Sequence, residues 1–213
     1  MSNFDLNFVR YQSMIDATDQ QDATPEEDTV KPADFSAITA EAIEQGEIQT
    51  ENSTIRFKRM MFFEQLSLML PIDRVACEIQ EDGLAFFASP NHDICISIHL
   101  FIDCQGKNIQ HIKSHYAEMM AQSKQKTVWI DEGEAQTSCD KCFNYFLAKH
   151  PMPDKDSYTL LALFELGQNV AAITFSIYLE DHALWNHIAM TLLETVTITE
   201  FIDRENQNEH AES

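Results

Sequence analysis

Glycine is scarce: only five occur, at 46, 83, 106, 133 and 167, and no two lie within 20 residues of each other. That spacing excludes the dinucleotide fingerprint and the phosphate-cradling Walker loop, which both need glycines a few residues apart. Positive charge is scarce too. Fourteen Lys and Arg stand against 35 Asp and Glu, giving a net charge of −21 and a pI near 4.5. Most of the surface therefore repels phosphate backbones and anionic lipid, which disfavours nucleic-acid and membrane-surface binding. No stretch of 18 apolar residues occurs, and the start, Met-Ser-Asn-Phe-Asp-Leu-Asn-Phe, is neither basic nor followed by an apolar run. Neither a membrane span nor an export signal is visible, so the expected location is the cytoplasm.

Chemical motifs are equally sparse. GxSxG and HExxH are absent, and carboxylates are so abundant that naming any two as an acid and base pair is arbitrary. The expectation is a protein that is not an enzyme, with no cofactor and no metal. The five cysteines (77, 95, 104, 139, 142) are an odd number. Several fall in hydrophobic stretches, where Cys acts as a small apolar residue in a reducing compartment. Cys139-Asp140-Lys141-Cys142 is the single CxxC. A redox pair needs its first cysteine at a helix N-terminus, but the following Phe-Asn-Tyr-Phe-Leu reads as strand. A zinc site needs a second pair, and none is spaced for it. His111 and His115 stand one helical turn apart with Glu118 on the same side, an arrangement that can converge on a metal but that a solvated helix face explains equally.

What is present is apolar: 44% of residues are hydrophobic and 14 are Phe, enough to fold without disulfides or metals. Charge divides the chain. Residues 1–53 read as an acidic N-terminal extension, 54–199 as one α+β domain and 200–213 as an acidic tail; residues 1–50 carry a net −9 and the tail −4. The stretch 16–34 has almost nothing to bury and reads as a linker. Before it, Phe4, Phe8, Tyr11 and Ile15 recur at helical spacing, which predicts an amphipathic helix. Its stripe should dock on its own domain or on a partner, because a short helix is marginal alone. Asp34–Glu47 reads as another short helix capped by Asp34, with Phe35, Ile38 and Ala42 on one side.

From residue 54 the period becomes alternating. Strands are predicted over 54–60, 62–70, 75–79, 84–88 and 94–101, then a helix over 107–122 carrying Ile109, Ile112 and Tyr116 inward. Further strands follow over 127–130, 143–148, 158–166 and 170–179, the last two joined at Gly167-Gln168-Asn169, a hairpin signal. His99 alternates with Ile98 and Leu100 and reads as an outward strand residue. A final helix opens at Asp181 and turns Leu184, Trp185, Ile188, Leu192 and Val196 inward. This order makes a largely antiparallel sheet with helices packed on it.

Within it, Phe63-Glu64-Gln65-Leu66-Ser67-Leu68-Met69-Leu70-Pro71 resembles the opening strand of the PsbP-like, DcrB-like superfamily. The mid-chain helix, the long hairpin and the Trp185 helix follow in that family's order, so the resemblance spans about residues 60–199. It implies a PsbP-like α/β sandwich, and in the cytosolic branch it includes the Eag-type chaperones of type VI secretion effectors. The function expected is that of a non-catalytic bacterial accessory protein that binds an apolar or basic segment of another protein, as a chaperone or adaptor. The alternatives are an immunity-type inhibitor of a basic toxin, or a metal-binding module or enzyme using His111, His115 and the cysteines. Phe4, Phe8, Tyr11 and Ile15 are the expected partner-binding residues. Met60, Met61, Met69, Met119, Met120 and Met190 add an adaptable apolar inventory.

Overall fold

The computed structural model describes residues 35–50, 53–102, 109–122, 127–151 and 155–199. Phe4, Phe8, Tyr11, Ile15, the expected linker and the acidic tail lie outside the described residues. In the described residues, strands outnumber helices, in agreement with the α+β expectation. They are β1 (Glu47–Gln49), β2 (Thr54–Phe62), β3 (Leu66–Pro71), β4 (Ala76–Glu81), β5 (Leu84–Ala88), β6 (Ile94–Phe101), β7 (Val128–Gln136), β8 (Cys142–His150), β9 (Ser157–Leu166), β10 (Asn169–Ile177) and β11 (Thr197–Ile198). The helices are α1 (Ala40–Glu44), α2 (Ile109–Gln122) and α3 (His182–Glu194).

Every pairing among these strands is antiparallel, and two sheets result, in the orders β1-β2-β3-β11 and β4-β5-β6-β10-β9-β8-β7. The run of strands from residue 54 is therefore split between sheets. The split falls after Pro71, where Arg74 and Val75 N–H groups close a turn onto the Pro71 carbonyl. At the large sheet's centre, Asn169–Ile177 of β10 pairs along its whole length with β9 and from Val170 with β6. The hairpin is turned by Gly167 at φ 66°, a conformation that glycine adopts at little cost.

Apolar residues on both faces of these central strands demand two covers. On one face Ile96, Ile98, Leu160, Ala162, Phe164, Ile173 and Phe175 join Ile43, Ile55, Phe62, Leu68 of the small sheet and its helix, and Trp185 and Ile188 of α3, in one core. Aromatic contacts knit it: Phe62 meets Phe87 edge-on with centroids 5.9 Å apart, and Phe143 stacks on Phe164 at 4.9 Å. On the opposite face Leu161, Leu163, Val170, Ala172 and Phe146 bury Ile112 and Tyr116 of α2. β3 is buried at every residue from Leu66 to Pro71.

Local differences from the sequence reading have physical causes. The packed structure begins before residue 54, since Ile38, Ile43 and Ile48 are buried in the main core. α1 is shorter than the periodicity implied, and its cap is Thr39, whose hydroxyl accepts from the Ala42 N–H at 3.2 Å. Residues 35–39 instead form a turn that brings the Ile38 carbonyl to the His187 ring nitrogen at 3.1 Å. Phe63 and Glu64, placed by the sequence reading inside a strand, are both at positive φ and turn the chain between β2 and β3. His99 is half-buried beside Phe101, with ring centroids 6.2 Å apart; it points away from the main core, as its alternation implies, but onto the face that α2 covers rather than outward into solvent.

Phe164 is fully buried in the central hairpin, paired with Ala171 near its turn. Phe164→Ala should therefore cost about 3–5 kcal/mol, whereas Met61→Ala at an exposed strand end should stay within about 0.5 kcal/mol. Denaturant titrations of the two variants check this.

Candidate functional site

Among the described residues, large apolar side chains are exposed at few places, and only β7 has three in a row: Val128, Trp129 and Ile130 are 40%, 41% and 49% exposed. They open a strand that ends the large sheet, with β8 on its inner side. The sequence reading stopped this strand at Ile130, because Asp-Glu-Gly-Glu has no apolar alternation. The strand continues to Gln136, held by the pairing of Asp131–Gln136 with Leu147–Cys142. Between Trp129 and Asp131 the register shifts, so Ile130 has no opposite residue. Such a bulge kinks an edge and re-aims its side chains.

Cross-strand partners share a face of a sheet, which assigns the acidic residues. Asp131 lies opposite Leu147 and Gly133 opposite Tyr145, on the main-core face. There the Tyr145 hydroxyl donates to Asp131 Oδ2 at 3.2 Å. Gly133 leaves room for that ring, since an added Cβ would sit 3.0 Å from the hydroxyl oxygen, closer than ordinary contact. Burial, then the adjacent Asp131, pushes the Tyr145 phenol up from its ordinary value, so it remains a neutral donor. Glu132 lies on the other face, paired with Lys113 of α2, whose ammonium also sits 4.5 Å from the Phe146 ring centre. Glu134 is exposed. The first half of α2 and the edge of the sheet are thus tied through Lys113, leaving a strip that is apolar at Val128–Ile130 and acidic from Asp131 to Glu134.

The other candidates are placed as follows. The CxxC forms the tip of the β7–β8 hairpin. Thr137 closes it, its N–H donating to the Lys141 carbonyl at 2.9 Å and its hydroxyl accepting from the Cys139 and Lys141 N–H groups. The Ser138 N–H reaches the Glu194 carbonyl at 2.7 Å, fastening the tip to the end of α3. Cys139 and Cys142 are free thiols here, at a turn and a strand start rather than a helix start. His111 and Glu118 are exposed on α2; the His115 side chain and Cys104 lie outside the described residues. Among the described residues no three His, Cys, Asp or Glu side chains stand together as metal ligands. A cleft of about 350 Å³ between the β3–β4 and β5–β6 turns and the start of α3 is lined by Asp73, Arg74, Asp93, Asp181 and Trp185. Its one cation is engaged, with the Arg74 guanidinium donating to Ser53 Oγ at 2.7 Å. No helix among the described residues is long and apolar enough to cross a membrane.

With this geometry, solved structures offer a comparison. The Ran-binding protein Mog1p of Saccharomyces cerevisiae is similar over 68% of this chain and 97% of its own, at 10% identity and a TM-score of 0.51. Cyanobacterial PsbP (CyanoP) of Synechocystis is similar over 71% of this chain and 98% of its own, at 9% identity and a TM-score of 0.55. The fold is that of PsbP and Mog1. A mutant form of Mog1 gives a TM-score of 0.50 at 10% identity, covering 69% of this chain and 98% of its own. The sequence matches no family profile and no curated relative. The resemblance read from residues 63–71 and the elements after them is thus supported at the level of fold, although the strand itself begins at Leu66.

Half-buried His99 and buried His150 make stability depend on pH. Burial lowers the His99 pKa from 6.5 to about 4, and burial also lowers that of His150, which is held between the hydroxyls of Thr127 and Thr159 at 3.2 and 3.1 Å. Below pH 6.5 the unfolded chain binds protons that folded His99 refuses. Stability is therefore full above that pH and declines towards pH 4, by up to about 1.4 kcal/mol per pH unit for one group. His99→Gln should flatten this slope, which denaturant melts at pH 7, 6 and 5 measure.

Proposed function

We propose that this chain is a non-catalytic, cytosolic bacterial accessory protein that binds an apolar and basic segment of another protein, as a chaperone or adaptor for a secreted effector. The observation that carries the reading is the strip on β7: three consecutive exposed apolar side chains, Val128, Trp129 and Ile130, beside three carboxylates. Contiguous exposed apolar surface marks interaction sites, and Trp is prominent among residues that dominate binding energy. The chain's net charge of −21 draws a basic partner in and repels acidic ones. A neighbour in fold, Mog1p, is a Ran-binding protein, so the same architecture serves protein binding elsewhere. Type VI secretion effectors, as clients of Eag-type chaperones, would supply such segments.

Chemical crosslinking of the full chain in its own host, read by mass spectrometry, tests the proposal. The expected result is a stoichiometric partner whose crosslinks to residues 128–136 come from an apolar, basic segment, with recovery at least tenfold lower for Trp129→Ala at an unchanged melting temperature. Recovery of wild type and variant with the same partners, or with none, would contradict it.

A further inference from the structure

The β7 strip is more than an apolar patch, because it is also a sheet edge. From Asp131 to Gln136 its pairing with β8 is unbroken, so its far side presents a regular line of main-chain donors and acceptors, a template for an added strand. The contiguous exposed residues Val128–Ile130 lie at one end of that line rather than along one face, as the anchors of a docked helix would. Two sources of a strand are disfavoured by charge. A second copy pairing antiparallel through β7 would set Asp131, Glu132 and Glu134 against their equivalents, and like charges in opposed strands destabilise the pair. The chain's own ends are acidic too, −9 over residues 1–50 and −4 over 200–213.

We propose that the edge of β7 binds an extended segment of a partner protein as an additional strand, a Lys or Arg of it facing Glu134 on the α2 side of the sheet and an apolar residue covering Trp129. This rests on the protein-binding reading above and specifies its mode. The bulge at Ile130 ends the regular edge, so the added strand pairs along 131–136 while its flank reaches back over Trp129. The acidic stretch thereby has two effects: it keeps copies of the chain apart and selects a basic strand. With Lys113 engaged at Glu132 and Asp131 accepting from the Tyr145 hydroxyl on the opposite face, Glu134 is the carboxylate left to the incoming cation.

The test uses the full chain and synthetic ten-residue peptides that alternate Lys with Val. A Glu-for-Lys version, two versions N-methylated on alternate residues of one or the other edge, and a basic amphipathic helical peptide serve as comparisons. The Lys/Val peptide is expected to bind and to slow amide exchange in 131–136 at least tenfold, while the Glu version does not bind. One N-methylated peptide should bind like the parent and the other should fail, because only one edge of the added strand bonds to β7. Glu134→Lys should weaken binding at least tenfold and Glu134→Gln by less, with melting temperatures unchanged for both. Equal binding by both N-methylated peptides, or unchanged exchange in 131–136, overturns strand addition. If the helical peptide binds instead, and Trp129→Ala weakens it, the strand mode falls while the protein-binding reading stands. Peptide-independent protection of 131–136 that grows with protein concentration would identify a second copy as the occupant and overturn the basic strand.

Discussion

The β9–β10 hairpin is buried on both faces, and the rest of the fold is arranged to satisfy that condition. Leu160, Ala162 and Phe164 face one way, Leu161 and Leu163 the other, and all are nearly inaccessible to water. An antiparallel sheet usually keeps one solvated face. This one cannot, at roughly 25 cal/mol for each Å² of apolar surface left in water. The small sheet with α1 and α3 closes one side and α2 the other. Even the polar groups of the centre comply: Tyr116 is buried on the α2 side, where burial raises its phenol pKa above the ordinary value while the Thr174 side chain acts in the opposite sense.

Covering the centre leaves the edges of the sheet to be managed separately. β4 is exposed almost throughout, with Glu78 and Glu81 among its residues. β7 differs in joining acidic residues to an exposed Trp129. Tyr145 of β8 lies across its Gly133, and α2 is fastened to it through Lys113. The candidate site thus follows from the fold: the element that covers the second face also braces the edge where a partner can add.

Legibility in the sequence tracked how local the determining interactions are. The central strands were readable because their alternation or continuous apolarity is a direct consequence of burial, and the Gly167 turn fixed their pairing. The last helix was readable from Trp185, Ile188 and Leu192 at helical spacing. What the sequence concealed depends on distant partners. β1 and β11 are only three and two residues long and exist because β2 and β3 accept them. The short α1 starts only at Ala40, because the turn before it carries Ile38 to His187. The second half of β7 carries no apolar signal, since neighbouring strand β8 and not side-chain burial holds Asp131–Glu134 extended. The expected partner-binding stripe of Phe4, Phe8, Tyr11 and Ile15 lies outside the described residues, whereas the exposed run beside an acidic, glycine-containing strand was visible as Val-Trp-Ile-Asp-Glu-Gly-Glu and could have been read as an edge.

Native-state hydrogen exchange on the unliganded chain tests the central claim most directly, because it ranks each amide by the free energy of the opening that exposes it. If the doubly covered hairpin is the constraint on which the fold depends, the slowest amides will lie in β6, β9 and β10 and will share one opening free energy equal to that of global unfolding. Amides on the outer edge of β7 will exchange orders of magnitude faster. Exchange in β9 and β10 as fast as in β7, or a slowest set confined to the small sheet, would contradict the account.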